Sequence, residues 1–331
     1  MLISLVVPCY CEEEVLPLFK KETDKVTEIL KEKYDADTEY VFINDGSNDH
    51  TLDLMRKFHE EDKRVHYISF SRNFGKEAGL YAGLQHARGD YVAVMDADLQ
   101  DPPSLLPKML EYLLSGDYDC AATRRTTRNG EPPVRSWFAH RFYHLINSES
   151  KTQIVDGARD FRLMTRQMTD AVLSMSEYNR FSKGIFSWVG FRTKWIDYEN
   201  VNRAAGSTKW NFFSLTRYAV EGLVGYTTKP LEYAAFIGIL FFFLSIVGII
   251  FIIVRKLLFG DPVSGWASTV VIIMFCAGIQ LFCTGIIGEY LAKTYLEVKH
   301  RPVYIVQETD HSFDERNERK SKILSKNTEN E

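Results

Sequence analysis

The sequence predicts an α/β fold: a mainly parallel sheet with helices on both faces, followed by an interfacial helix and two transmembrane helices. Three observations lead there. Between residues 2 and 100, short apolar runs alternate four times with segments of helical period, the pattern of repeated strand–helix units. Each run ends in polar residues, and right-handed crossovers bring such ends to one edge of a sheet. Two later stretches, Tyr233 to Val254 and Ala267 to Gly288, carry no charge over about 22 residues each, and about 20 apolar residues suffice to cross hydrocarbon.

The first strand is Leu2 to Val7, a continuous apolar run stopped by Pro8, as a buried parallel strand reads. It is not a signal peptide, because no basic region precedes it and Glu12, Glu13 and Glu14 follow at once. Val15, Leu18, Phe19, Val26, Ile29 and Leu30 then recur at helical spacing to about Lys33. A second strand, Tyr40 to Ile43, runs into Asn44-Asp45-Gly46-Ser47-Asn48-Asp49. Asp45 there suits a ribose hydroxyl or a base edge. Equally, Gly46 can turn the chain while Asn48 or Asp49 caps the helix carrying Leu52, Met55 and Phe58. The third strand, Val65 to Phe70, delivers Ser71 to Lys76 ahead of a helix through Leu84.

The fourth strand is the centre of the reading. Tyr91 to Met95 is apolar and ends in Asp96, Asp98, Gln100 and Asp101. Carboxylates at the carboxyl end of a parallel strand lie where open α/β sheets hold ligands. Hard oxygen donors gathered there suit Mg²⁺ or Mn²⁺ carrying a diphosphate. No G-x-G-x-x-G opens any of the helices, so the dinucleotide fingerprint is absent. A fifth strand, Tyr118 to Thr123, empties into a loop with Arg124, Arg125, Arg128 and Arg135. Guanidinium groups match phosphate oxygens, although a solvated loop would carry the same charges. Strand-like segments open at Asp160, after Asp156, and at Arg192 to Tyr198. Arg203 and Lys209 flank the glycine turn at Gly206 and can neutralise a leaving diphosphate.

From Asn211 to Tyr226 the apolar positions repeat at helical spacing, which suits a helix in a membrane interface. Basic residues near the helix ends number five on the catalytic side (Arg217, Lys229, Lys293, Lys299, Arg301) and two in the linker (Arg255, Lys256). That bias predicts the α/β domain to lie in the cytoplasm. The divisions read as a catalytic domain over 1–210, a juxtamembrane helix over 211–230 and spans over 231–255 and 267–290. A short external loop over 256–266 joins the spans, and a C-terminal segment over 291–331 ends in a disordered tail. A net charge of −4 and pI near 6.1 give no footprint for nucleic acid. Five scattered cysteines form neither a disulfide framework nor a metal spacing.

Several motifs recur together: Val7-Pro8-Cys9-Tyr10-Cys11-Glu12, Asn44-Asp45-Gly46-Ser47, Ser71-Arg72-Asn73-Phe74-Gly75-Lys76-Glu77, Asp96-Ala97-Asp98-Leu99-Gln100-Asp101, Asp160-Phe161-Arg162-Leu163-Met164, Asn179 to Gly184 and Gly206 to Trp210. In this order they resemble the family 2 glycosyltransferases of GT-A fold, and among them the polyisoprenyl-phosphate hexosyltransferases. Cys11 and Asn44 depart from the family's frequent Asn and Asp. The resemblance implies a nucleotide site of Pro8, Tyr10, Glu12, Asp45, Lys76 and Asp96, with Mg²⁺ or Mn²⁺ held by Asp96, Asp98 and Gln100. It assigns the acceptor to Arg124, Arg135 and Asp160, and the departing UDP to Arg203 and Lys209. The reaction it implies passes a hexose, glucose first and N-acetylglucosamine second, from a UDP-sugar to undecaprenyl phosphate at the bilayer with inversion. A homo-oligomer is part of the same likeness. Two rivals remain: a processive polysaccharide synthase, whose Q-x-x-R-W segment is absent at Gln167, and a non-catalytic membrane protein binding a nucleotide sugar or lipid carrier.

Overall fold

A computed structural model describes residues 1–125, 155, 157–198, 229–259 and 265–310. They fall into two compact units, one holding the residues up to 198 together with 302–310, the other holding 229–259 and 265–301. The first unit runs β1 (Leu2–Cys9), α1 (Leu16–Tyr34), β2 (Asp37–Asn44), α2 (Thr51–Glu61), β3 (Val65–Phe70), α3 (Lys76–His86) and β4 (Tyr91–Val94). A 3₁₀ turn (Pro103–Leu105) leads to α4 (Leu106–Leu114) and β5 (Cys120–Arg125). Then come β6 (Ala158–Thr165), α5 (Arg166–Ser174), α6 (Ser182–Trp188) and β7 (Thr193–Tyr198). The second unit holds α7 (Lys229–Phe259) and α8 (Trp266–Val298), after which β8 (Val306–Thr309) belongs again to the first.

The eight strands form one sheet in the order β7-β5-β6-β4-β1-β2-β3-β8. Pairs β1–β2, β1–β4, β2–β3 and β5–β7 are parallel; β6 runs antiparallel to β4 and β5, and β8 antiparallel to β3. The sheet is thus mixed and mostly parallel, with α1, α2 and α4 on one face and α3 and α5 on the other. Both faces being covered, β1 and β2 are buried almost throughout, which is why they read as unbroken apolar runs. Leu5, Val7 and Phe42 face a core that includes Leu16 and Phe19 of α1 and Met109 and Leu110 of α4.

The opposite face admits α3 unusually closely. A Cβ on Gly83 would lie 2.3 Å from Val6 Cγ1 and 2.7 Å from Ile43 Cδ1, so this helix shows a small-residue face where others show Leu or Phe. Gly46 is also dictated by contact: at φ +63° its Cβ would meet the backbone carbonyl carbon of Arg72 at 2.4 Å. Left-handed strain alone is of order 1–3 kcal/mol for a residue with a side chain. Gly46→Ala is therefore expected to destabilise the domain by about 2–3 kcal/mol, read as a lowered thermal midpoint.

At the C-terminus the structure adds detail to the expected segment. Within 291–331, residues 291–298 complete α8 and 306–309 form an edge strand on β3. Val-Gln-Glu-Thr is short and polar, and its pairing is made with residues more than 230 positions away. The spans expected over 231–255 and 267–290 are longer as helices because charged but helix-favouring residues flank the apolar stretches. The juxtamembrane helix expected over 211–230 lies outside the described residues except for 229 and 230, which open α7; the loop over 256–266 save its ends and the tail beyond Asp310 also lie outside them.

Candidate active site

Beyond β3 the chain returns across the sheet, so that β4 pairs with β1 on the side opposite β2. This reversal makes the β1–β4 boundary a topological switch point, where the carboxyl ends of parallel strands open a crevice. Tyr10, Cys11 and Glu12 follow β1, and Asp96 and Asp98 follow β4, so the two candidate clusters flank it. Pro8 is part of β1 and pairs with Ile43; Tyr10 is well exposed.

The loops at this edge are bonded to one another. Cys11 N–H donates to Ser47 Oγ (2.9 Å) and Glu12 N–H to Thr51 Oγ1 (2.9 Å). Cys11 holds φ 55°, a left-handed geometry that Asn adopts more readily than most residues. Asn44 spans two strands, donating to Ser69 Oγ (2.9 Å) and accepting from Ser47 N–H (3.1 Å). Asp45 is buried, and its two oxygens accept the N–H groups of Phe74 (2.6 Å) and Gly75 (2.9 Å). Burial pushes its carboxyl up and those two donors pull it back. Asp45 therefore clamps the loop that precedes α3, and Asp49 accepts from Thr51 N–H while Gly46 turns the chain.

That loop delivers Lys76. Its ammonium lies 2.6 Å from Asp96 Oδ1 and 2.6 Å from Asp160 Oδ2, joining α3, the end of β4 and β6. Burial opposes the charge on Asp160, but Lys76 and then Lys183 outweigh it and hold the carboxyl far below the usual range. Lys76 itself is pushed above its ordinary value, its two carboxylates overcoming desolvation. Beside it Glu77 accepts from Ser182 N–H (2.9 Å) and from the Ser182 hydroxyl, tying the start of α3 to that of α6.

The Asp96–Asp101 loop has two kinds of acid. Asp96 and Asp98 are partly exposed, and Asp98 Oδ1 accepts from Gln100 N–H (3.1 Å). Asp101 is buried and accepts from Arg159 Nε (3.2 Å) and from the Tyr198 hydroxyl. Arg159 also donates to Gln100 Oε1 (3.1 Å), so β6 braces this loop, in which Leu99 is held at φ 55°. A non-glycine residue in that region is stored strain of the kind that gathers at functional sites. Carboxylate and amide oxygens at a partly exposed turn form a donor set suited to a hard divalent cation.

Arg124 is paired across β5 and β7 with Asp197 through bonds of 2.7 and 3.0 Å. Arg128, Arg135, Asp156, Arg203 and Lys209 lie outside the described residues. Sequence reasoning did not single out Arg159, Tyr198 or Ser182, whose parts depend on partners 97 to 105 positions away or, for Arg159, 58 and 59.

Residues 4–173, from β1 to within α5, match the family model described as "Glycosyl transferase family 2". "Bactoprenol glucosyl transferase" of Shigella phage SfV is 40% identical over 307 residues, covering 93% of this chain and 98% of that protein. "Putative glycosyltransferase CsbB" of Bacillus subtilis (strain 168) is 42% identical over 309 residues, covering 93% and 92%. "Prophage bactoprenol glucosyl transferase homolog" of Escherichia coli (strain K12) is 39% identical over 307 residues, covering 93% and 99%. The family match spans the whole switch-point crevice and the relatives align over nearly the full chain, so this protein belongs to glycosyl transferase family 2.

Proposed function

We propose that the protein transfers glucose from UDP-glucose to undecaprenyl phosphate, with inversion at the anomeric carbon. One observation carries this reading: near-full-length identity of 39–40% to proteins named bactoprenol glucosyl transferases. A phosphate oxygen of the lipid attacks C1 of the sugar, the bond from C1 to the UDP oxygen breaks, and UDP leaves with that electron pair. A phosphate monoester has a second pKa of about 6, so the nucleophile is largely dianionic at neutral pH without a base. Asp160, kept ionised by Lys76 and Lys183, accordingly orients groups at the crevice and abstracts no proton.

Asp96, Asp98 and Gln100 would hold Mg²⁺ or Mn²⁺, which when bound offsets charge on the leaving diphosphate. Tyr10, Glu12 and Asp96 face the nucleotide, while Pro8 and Asp45 shape its pocket. Arg124 and Arg135 receive the lipid phosphate, and Arg203 and Lys209 stabilise departing UDP. The chain works at a membrane. Helices α7 and α8 contain stretches of 19 and 24 residues long and apolar enough to span. Phe236, Phe243, Val247 and Phe251 on α7 and Ile273, Phe275, Leu281 and Phe282 on α8 are all exposed. Apolar surface on that scale is stable against lipid tails and costly in water. The bias of basic residues supports a cytoplasmic side for the catalytic unit.

The test is the purified full chain with UDP-glucose, UDP-N-acetylglucosamine and GDP-mannose in turn, undecaprenyl phosphate and either metal. Lipid-linked β-glucose formed from UDP-glucose is the expected product. An α-linked product, or preference for another donor, would overturn the assignment.

A further inference from the structure

We propose that Tyr304 is a positioning residue for sugar transfer: it holds the Ser71–Gly75 loop so that Lys76 sits between Asp96 and Asp160. Tyr304 belongs to the segment leading into β8. Its ring stacks on Phe70 at the end of β3, with centroids 4.9 Å apart and planes at 21°. Its hydroxyl donates to Gln85 Oε1 of α3 at 2.8 Å, and Tyr81 of the same helix meets the ring edge-on at 6.5 Å. One side chain thus fastens the strand before the loop to the helix after it.

The loop between them is gripped from two sides. On the inner side Asp45 accepts from Phe74 and Gly75 N–H, and Gly46 lies against the Arg72–Asn73 backbone. On the outer side Ser71 N–H donates to Ile305 O at 3.0 Å, and Phe74 packs edge-on against Phe70 at 5.8 Å. Val303, Arg72 and Phe74 line one cavity there. Lys76 is the first residue of α3, so its place is set by that loop and by the seating of the helix.

The outer grip is itself well anchored. Glu308 takes two bonds from Arg56 at 2.8 and 2.6 Å and one from the Tyr67 hydroxyl at 3.0 Å, and the buried Asp310 carboxylate meets His66 Nδ1 at 2.6 Å. Charge-assisted and bidentate pairs of this kind are the strong ones. Such anchoring exceeds what a solvated tail requires, and it ends on the aromatic stack that backs the loop.

The experiment compares Tyr304→Ala, Tyr304→Phe, Lys76→Met and the double variant Tyr304→Ala/Lys76→Met in the full chain. Hydrogen exchange at the amides of residues 71–76 is measured beside steady-state transfer; the kinetic arm rests on the proposed function, the exchange arm does not. Tyr304→Ala is expected to speed exchange at Phe74 and Gly75 at least tenfold. It should also lower kcat about tenfold, with less than twofold change in the donor KM. Tyr304→Phe keeps the stack and should recover most of the rate. The double variant should be no slower than Lys76→Met alone, because both changes act through one ammonium. Unchanged exchange at 71–76, a loss in Tyr304→Phe equal to that in Tyr304→Ala, or strict additivity in the double variant would overturn the assignment. If the unaltered protein transfers no glucose at all, the exchange result alone decides the inference, and the failure belongs to the donor assignment.

Discussion

Asp98→Ala is expected to lower glucosyl transfer by about 10³-fold, or roughly 4 kcal/mol of transition-state stabilisation. The reason is the charge that accumulates on the leaving diphosphate, which a divalent cation would offset, and Asp98 is a partly exposed carboxylate at the switch-point crevice that would hold that cation. The side chain accepts from Gln100 N–H and is not buried, so its loss costs little folding energy compared with that of the buried Asp101. The measurement is UDP release with undecaprenyl phosphate, alongside calorimetric binding of UDP with Mn²⁺ and a thermal melt. A rate within tenfold of the unaltered protein would mean that this carboxylate does not hold a cation for the nucleotide. A melt lowered in step with the rate would point to folding.

Lys76→Met is expected to lower transfer by about 10²-fold and the thermal midpoint together, because it leaves two carboxylates facing each other across the space of one ammonium. Asp96 and Asp160 each lie 2.6 Å from that charge. Lys76 is nearly half exposed, so water screens part of the effect on stability; the effect on the site is larger because geometry is lost along with charge. Lys76→Arg restores a cation and should recover part of the rate. The pH dependence has a definite sign. Asp160 is held low in the folded protein, so its pairing contributes fully above the unfolded carboxylate value of about 3.9 and is lost as pH falls below it. The stability gap between the unaltered protein and Lys76→Met should therefore narrow in acid. A gap that widened below about pH 4 would contradict the pairing.

The acids at the end of β4 were legible because strand ends are a local feature. An apolar run closing on Asp96-Ala97-Asp98 announces both a buried strand and a polar edge, whatever its neighbours are. The position of Lys76 was only half legible. Its place after a third strand marked it as belonging to the crevice, while its bridge to Asp160, 84 residues on, depends on β6 entering the sheet antiparallel beside β4. Asp45 shows the same limit: a position suited to a ribose hydroxyl is filled by two backbone N–H groups of a loop some 30 residues later.

The sequence by itself determined the strands β1 to β4, the helices between them, the polar edge they share and the two long apolar helices, since each rests on periodicity, burial pattern or composition within a short window. Tertiary structure alone decided that β6 and β8 join antiparallel, that Arg159 braces the Asp96–Asp101 loop, and that Tyr304 backs the loop before α3. Those outcomes depend on pairing between distant segments, and a strand such as Val306–Thr309, polar and four residues long, carries no periodic signal. Its energy comes from its partners, Arg56, Tyr67 and Phe70, which become neighbours only once the chain has folded.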